Sequence, residues 1–296
     1  MTAIVIGSAA GGAFPQWNCR CPVCQLAWAG DPRVRPRTQA SLALSADGEN
    51  WTLLNASPDL GAQIRATRAL HPRGEIRGSP IGAVVLTGGE IDQIAGLLHL
   101  RESAPFALYA TAATHAAVAS NAMCAALTSV TRRAVGPGEK FSLPGGIEAE
   151  LFTVPGKLPL YLEGENPEIG AESAANVGVK ISANGARLIF IPGAAAVTNA
   201  LMTRLSRADA VLFDGTLFTD DEMIRTKTGA KTGRRMGHMP IDGDGGTLNA
   251  LAGLQARRIF VHINNTNPIL IDGSPERKRV NDKGWEVAED GMEIVL

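Results

Sequence analysis

Short apolar runs rich in β-branched residues recur along this chain of 296 residues in two series. The first series consists of IVIG near residue 5, WTLLNAS near 53 and IGAVVLT near 84, followed by an amphipathic stretch over 91–102. The second consists of IEAELFTV near 150, NVGVKISANGARLIFIPG near 185, ADAVLFDGT near 212 and RRIFVHINN near 260, with helical patterns over 196–206 and 245–254. Runs of this length and composition predict strands. Because every sheet must cover its apolar face, this order predicts an α/β fold with two mixed sheets flanked by helices.

One turn within the second series has a specific sequence. Asn184 and Gly185 separate two apolar runs, and Asn-Gly favours the positive φ values of a type I′ turn, so we predict a β-hairpin there. The sequence contains no internal repeat and no linker rich in Pro, Gly and Ser, and layered α/β folds commonly reach this length as one unit. We therefore predict a single domain over residues 1–296.

Two glycine-punctuated segments between predicted strands are candidate functional loops. The segment over 163–172 is acidic and the segment over 225–238 is basic. Sheet scaffolds commonly place functional residues in such loops, and we expect both segments to be mobile. Ordinary solvated surface loops are the alternative.

Composition restricts the class of partner. Hydrophobic residues make up 45% and charged residues 19% of the chain, and the formal net charge is −1, so neither a nucleic acid nor an anionic membrane is favoured as a partner. Small molecules fit better, and a homo-oligomer stays open.

The N-terminal MTAIVIGSAAGG lacks the basic start and long apolar run of a signal peptide, and no apolar stretch is long enough to span a bilayer. We expect a cytoplasmic protein.

Three of the four cysteines, Cys19, Cys21 and Cys24, lie within six residues in the segment NCRCPVC. The CxCxxC spacing lets one tight loop present three thiolates to a tetrahedral ion, so we predict a structural zinc site. The fourth ligand is open between Cys124, a histidine and an asparagine oxygen of the HINNTN segment. Buried free cysteines are the alternative.

Several polar residues follow the predicted strands directly. Glu90 and Asp92 lie in the turn after VVLT, Asp214 ends AVLFD, and His262 ends RRIFVH. Carboxylates and an imidazole at strand ends can share one hard or borderline cation. His238 lies between glycine and methionine on a loop, where a role in proton transfer is plausible. The alternatives are helix capping by Asp92, a structural His262 and a solvated His238.

These residues belong to longer segments that resemble the metallo-β-lactamase superfamily over the full chain. Within it, the segments resemble the branch that takes part in the biosynthesis of pyrroloquinoline quinone (PQQ). The segments are GSAAGGAFPQWNCRCPVC, NASPDLGAQI, LTGGEIDQIAGLLHLRE, MGHMPI and FVHINNTNPILIDGS. The resemblance implies an αββα sandwich. The cysteine loop also resembles that of the phosphodiesterase branch, where it carries a structural zinc.

The metal-binding turn departs from the pattern of the superfamily's hydrolases, which is HxHxDH. This chain has Gly88, Gly89, Glu90, Ile91, Asp92 and Gln93 in that order. The resemblance also places Lys157 near the usual middle histidine, and no carboxylate near the usual bridging aspartate in IFIPGAA. A dinuclear zinc hydrolase therefore lacks most of its ligands. The remaining set, Glu90, Asp92 and His262 with Asp214 near, suits Fe(II) or Mn(II).

The resemblance implies an iron-dependent hydroxylase that oxidises the tyrosine ring of a peptide-derived Glu-Tyr precursor on the way to PQQ. In this hypothesis Glu90, Asp92 and His262 hold active-site Fe(II), and His238 moves protons. Lys157 or Arg235 would pair with substrate carboxylates.

Two other functions stay open. One is a non-catalytic carrier or transport accessory that binds PQQ or its precursor for delivery to the periplasm. The other is ancestral hydrolysis of a phosphodiester or ester.

Overall fold

The computed structural model describes residues 1–74, 76–102, 104–165 and 168–296. The strands and helices are numbered below in chain order. The acidic segment over 163–172 includes residues 166 and 167, which lie outside the described residues. No helix in the described part of the chain is long and apolar enough to cross a membrane.

Seven strands form the first sheet, in the order β14-β1-β2-β3-β4-β5-β6. Strands β14 to β3 pair antiparallel, and β3 to β6 pair parallel. The strands are β1 (Thr2–Gly7), β2 (Ser41–Ser45), β3 (Trp51–Leu54), β4 (Ile81–Val85), β5 (Phe106–Ala110), β6 (Val130–Ala134) and β14 (Glu293–Val295).

The second sheet also has seven strands, in the order β13-β12-β11-β10-β9-β8-β7. Strands β7 to β10 pair antiparallel, and β10 to β13 pair parallel. The strands are β7 (Lys140–Leu143), β8 (Ile147–Gly156), β9 (Ala171–Ala183), β10 (Ala186–Ile191), β11 (Ala210–Asp214), β12 (Arg257–Val261) and β13 (Trp285–Val287). Two mixed sheets are therefore present, as predicted.

Alternation along the strands divides the apolar residues between three layers. Leu151 and Leu212 of the second sheet face Leu42 and Val85 of the first in the layer between the sheets. Their chain neighbours, such as Phe213, point to the opposite face, against the helices that carry Val23, Leu201, Leu248 and Val280. The other face of the first sheet packs against the helices that carry Leu60, Ile94 and Val118. This is the period of two expected of strands, and it confirms the predicted αββα sandwich.

The eight described α-helices are short. They are α1 (Pro22–Trp28), α2 (Leu60–Ala66), α3 (Ile91–Ile94), α4 (Ala112–Ala119), α5 (Asn199–Leu205), α6 (Glu222–Arg225), α7 (Thr247–Ala250) and α8 (Pro275–Asp282). The helix predicted over 91–102 is α only in its first turn and continues as the 3-10 segment Ala95–Leu100. At Gly96 this segment packs closely against the backbone before α2, because a Cβ there would lie 2.0 Å from the Ser57 carbonyl oxygen.

The predicted hairpin is confirmed. Strands β9 and β10 pair antiparallel around Asn184 and Gly185, whose φ angles are 53° and 83°. Both are positive, as a type I′ turn requires.

Glu222, the first residue of α6, is a buried carboxyl that accepts hydrogen bonds from the Phe218 amide and the Thr266 hydroxyl. Burial raises the pKa of Glu222 from 4.5 to about 7, against the lowering effect of those bonds. The folded chain therefore keeps a proton that the unfolded chain releases, so stability falls as pH rises from about 4.5 through 7. Between pH 5 and pH 8, the free energy of unfolding of wild type should fall by roughly 3 kcal/mol more than that of Glu222→Gln. Urea unfolding at the two pH values measures this difference.

Glu49→Gln is the matched control, because the Glu49 side chain is 72% exposed. It should leave the pH dependence of wild type intact. A stability difference between wild type and Glu222→Gln that stays constant from pH 5 to pH 8 would contradict the prediction.

Candidate functional site

A cleft of 580 Å³ lies where the two sheets meet at one edge of the sandwich. The turn after β4, the segment after β8 and the residues after β11 and β12 line it. An isolated bridge between Gly88 and Asn176 joins the turn after β4 to the second sheet. The basic segment over 225–238 forms another wall with Lys231, Met236 and His238. The cleft is therefore lined by residues that the sequence analysis predicted and that lie far apart in the chain: Glu90, Asp92, Lys157, His238 and His262.

Asp92 and His262 form a direct pair at this cleft. His262 follows β12 with a φ of 59°, and its Nε2 lies 2.9 Å from Asp92 Oδ2. Burial alone would raise the pKa of Asp92, but the hydrogen bond from His262 and the neighbouring imidazole charges hold it below its usual value. Burial alone would lower the pKa of His262, but its hydrogen bond to Asp92 and the nearby carboxylates raise it. The pair therefore favours the charged form of both groups.

Asp214 and His238 form a second pair deeper in the fold. Asp214 is fully buried at the end of β11, and its Oδ2 lies 2.7 Å from His238 Nδ1. The carboxylate also accepts from the Ala194 amide at 2.9 Å, the Thr216 amide at 3.0 Å and the Thr216 hydroxyl at 2.6 Å. Burial alone would raise the pKa of Asp214, but the charge and hydrogen bond of His238 outweigh it and lower the pKa. Four donors thus saturate this carboxylate.

Glu90 makes its hydrogen bonds outside these two pairs. Its Oε1 accepts from Lys157 Nζ and from the Leu160 amide, both at 3.0 Å. Lys157 Nζ also lies 2.7 Å from Glu163 Oε1, and Arg235 lies 3.7 Å from the other oxygen of Glu163. Lys157 and Arg235, predicted to bind substrate carboxylates, therefore already have a carboxylate partner in the protein.

The predicted set of Glu90, Asp92 and His262 is not gathered around one point. In the described chain, groups of three ligand atoms within 4.8 Å of one another occur twice. One group is the three cysteines, and the other is Asp214, His238 and His262. The structure therefore brings Asp92 to His262 and groups the predicted Asp214 with His262 and His238, whereas Glu90 is bound to Lys157.

The turn after β4 is packed around a neutral amide. Gln93 Oε1 accepts from the Glu90 amide at 3.3 Å, and a Cβ at Gly88 would lie 2.6 Å from that oxygen. The side chain of Gln93 therefore takes the space beside Gly88. Among the hydrogen bonds of the described residues, Asp92 is the residue of this turn that bonds His262.

The three thiols of Cys19, Cys21 and Cys24 converge beside Asn265. Asn265 Nδ2 lies 3.1 Å from the sulfur of Cys19 and 3.3 Å from that of Cys24. The hydrogen bond with Cys21 lowers the pKa of Cys24 to about 6, against the opposing effect of burial, and Asn265 adds to the lowering. A stabilised thiolate among three sulfurs fits a tetrahedral zinc ion. The side-chain amide of Asn265 lies beside the thiols with its nitrogen toward them, so it would supply oxygen to the ion in the flipped orientation.

The other options for a fourth ligand lie elsewhere. Cys124 packs in the core between the first sheet and its helices, away from the three thiols. No histidine of the described chain belongs to the cysteine group. Asn265 is therefore the option that the fold places at the thiols.

Thr216 is the polar residue of this site that the sequence analysis overlooked. Its hydroxyl contacts both His238 and His262 as well as Asp214. The only sequence indication was its position two residues after a strand that ends in a carboxylate.

Known proteins resemble this chain in sequence and in structure. Residues 50–263 match the family model described as "Beta-lactamase superfamily domain". The chain is 55% identical to "Coenzyme PQQ synthesis protein B" of Methylobacterium nodulans and 52% identical to the protein of that name from Ruegeria pomeroyi, with 100% of each chain covered. The chain belongs to the PqqB family. The solved structure of Zn(2+)-bound PqqB from Methylobacterium extorquens superposes with a TM-score of 0.98, at 53% identity and full coverage of both chains.

More distant structures share the fold alone. A diphosphatase of the PhnP family superposes with a TM-score of 0.69 at 21% identity, over 99% of this chain and 96% of that one. The PqqB family is therefore built on a sandwich that other chemistries also use.

Proposed function

We propose that this chain takes part in PQQ biosynthesis by hydroxylating the tyrosine ring of a peptide-derived Glu-Tyr precursor, with iron and dioxygen, in the cytoplasm. The observation that carries the proposal is the pair of Asp92 and His262 facing the cleft of a PqqB family member. A carboxylate and an imidazole with open positions beside them suit ferrous iron better than a closed zinc site.

The pair offers a carboxylate oxygen and an imidazole nitrogen to the cleft. Asp92 Oδ2 and His262 Nε2 lie 2.9 Å apart, and these two residues would hold the iron. Ferrous iron bound there would supply the capacity to bind and reduce dioxygen. Glu90 would join the ligands only by giving up its bonds to Lys157 and Leu160.

The remaining residues bind the precursor and move its protons. His238 Nδ1 is held by Asp214, and its Nε2 has no hydrogen bond to any described residue. We assign to this nitrogen the acceptance of the phenolic proton. The positive charge of Lys231 lines the cleft, beside Lys157 and its partners Glu90 and Glu163. That charge suits an acidic precursor.

Oxygen uptake tests the proposal. Protein purified without chelator and loaded anaerobically with Fe(II) should consume oxygen when given the Glu-Tyr precursor and an added two-electron reductant. One oxygen atom enters the ring and the other leaves as water, so the product should gain one oxygen atom in its mass spectrum. His262→Ala should lower the rate at least about 100-fold, because the iron loses one of its two protein ligands.

His71→Ala is the control, because His71 is an exposed histidine away from the cleft. It should react at the rate of wild type. Iron-loaded wild type that consumes no oxygen with both the precursor and the reductant would rule out the hydroxylase.

A non-catalytic carrier of PQQ or its precursor is the second candidate. The bonds of Glu90 to Lys157 and the neutral Gln93 favour it, because they leave two of the turn's positions without a metal ligand. Chelator-treated protein should then bind PQQ with micromolar affinity in equilibrium dialysis. Loss of all PQQ binding after chelation would count against a carrier.

A further inference from the structure

The Thr216 hydroxyl lies between the two carboxylate–histidine pairs. Its Oγ1 is 2.6 Å from Asp214 Oδ1, 2.9 Å from His262 Nδ1 and 3.1 Å from His238 Nδ1. The residue is 3% exposed, and the rings of His238 and His262 stack with centroids 5.3 Å apart. A single buried hydroxyl therefore joins Asp92–His262 to Asp214–His238.

The number of protons on each group decides the direction of these hydrogen bonds. A threonine hydroxyl has one proton to donate and two lone pairs to accept with. The shortest contact is to the carboxylate of Asp214, which can only accept, so the hydroxyl proton belongs there. A lone pair of the hydroxyl then accepts from the Nδ1–H of His262, whereas the Nδ1–H of His238 donates mainly to Asp214 Oδ2 at 2.7 Å. With a proton held on Nδ1, His262 can release the Nε2 proton that it donates to Asp92 and offer the lone pair of Nε2 to a metal ion.

We infer that Thr216 is a positioning residue, which holds the His262 ring in the orientation and tautomer that a metal ion beside Asp92 requires. The ring contacts Thr216 at Nδ1 and Asp92 at Nε2. Without the hydroxyl, Nδ1 loses its hydrogen-bond acceptor among the described residues and the ring can turn about its Cβ–Cγ bond. Partners of this kind around metal ligands typically change metal affinity by 10- to 100-fold. The metal-binding consequence rests on the proposed function, whereas the ring contacts rest on the distances alone.

The backbone of Thr216 is held independently of its side chain. Its carbonyl accepts from the Asn264 amide at 3.0 Å, and its amide donates to Asp214. Valine has nearly the same shape as threonine, so Thr216→Val should remove the hydroxyl and leave the backbone in place. Thr216→Ser should retain the hydroxyl.

Thr52 provides a matched control. Its hydroxyl is buried, and no described residue is a hydrogen-bond partner for it. Thr52→Val therefore removes a buried threonine hydroxyl that holds no described side chain in place.

Mn(II) binding, followed by electron paramagnetic resonance on zinc-retaining protein without iron, tests the inference. Mn(II) prefers oxygen and imidazole ligands, so it should leave the zinc on the thiols. Thr216→Val should raise the Kd for Mn(II) 10- to 100-fold, while Thr216→Ser stays within about threefold of wild type. Thr52→Val should bind as wild type does, and His262→Ala should abolish the site.

Two results would overturn the inference. One is Mn(II) affinity in Thr216→Val equal to that of wild type, and the other is serine failing to rescue a loss seen with valine. Unchanged zinc content and thermal unfolding midpoint would show that the variants are folded. Absence of turnover in iron-loaded wild type would instead refute the hydroxylase, whatever the Mn(II) titrations give.

Discussion

Cys24→Ser is expected to release zinc from the thiol cluster and to lower the free energy of unfolding by at least about 3 kcal/mol. Cys24 is fully buried, and its sulfur lies 3.3 Å from the side chain of Asn265, 241 positions away. The cluster therefore ties the first helix to the loop after β12. Structural zinc contributes about 10–16 kcal/mol in small peptides, and a large core reduces the share that this domain needs. Zinc analysis and urea unfolding measure the effect.

Cys124→Ser is the control for that experiment. Cys124 is a buried cysteine that belongs to the core and not to the thiol cluster. It should retain all the zinc and lose about 1 kcal/mol through burial of a more polar group. A Cys24→Ser protein with full zinc content and an unchanged unfolding midpoint would refute the zinc site.

The fold was predictable because its core strands carry a clear pattern. Strand β4 is apolar along its whole length and β11 is apolar up to Asp214, since helices cover one face and the other sheet covers the opposite face. The Asn-Gly turn added a local constraint. Strands at the edges were not predicted, and β6 shows why: four of its five residues are exposed, so no apolar alternation marks it.

The helix lengths could not be predicted in the same way. The amphipathic pattern over 91–102 is genuine, but the carbonyl of Ser57 lies against Gly96 and the helix tightens to a 3-10 form. This contact joins residues 39 positions apart. A pattern that depends on local periodicity contains no information about it.

The strand-end argument predicted which residues lie close together but not their pairing. Asp92, Asp214 and His262 were placed at one edge because strand ends meet there. Asp92 and His262 line the cleft, and the buried Asp214 contacts His238 at its wall. Which carboxylate faces which imidazole depends on the left-handed φ of His262 and on the loop that carries His238. Similarly, nothing in the turn itself indicated that Lys157, 67 positions later, would bind Glu90.

Asp214→Asn is expected to lower both the free energy of unfolding and the turnover of the proposed substrate, more than other substitutions at the cleft. The carboxylate of Asp214 accepts from four donors, and an amide can accept only at its one oxygen. Buried donors left without an acceptor should lower the free energy of unfolding by about 3 kcal/mol at pH 7. The amide would also donate toward His238 Nδ1 and reverse its tautomer. We expect turnover of the Glu-Tyr precursor to fall about 10²- to 10⁴-fold, as loss of a positioned proton acceptor does.

The pH dependence separates this effect from simple loss of packing. The pKa of Asp214 is held below its usual value, so the carboxylate stabilises the fold above about pH 4, and this contribution is lost as pH falls through the folded-state pKa. The stability gap between wild type and Asp214→Asn should therefore close on acidification. Asp209→Asn, at the opposite end of the same strand region, should cost under about 1 kcal/mol and leave turnover unchanged. A gap that stays constant down to pH 3, with His238 still protonated on Nδ1 by nitrogen NMR, would show that Asp214 only fills space and does not orient His238.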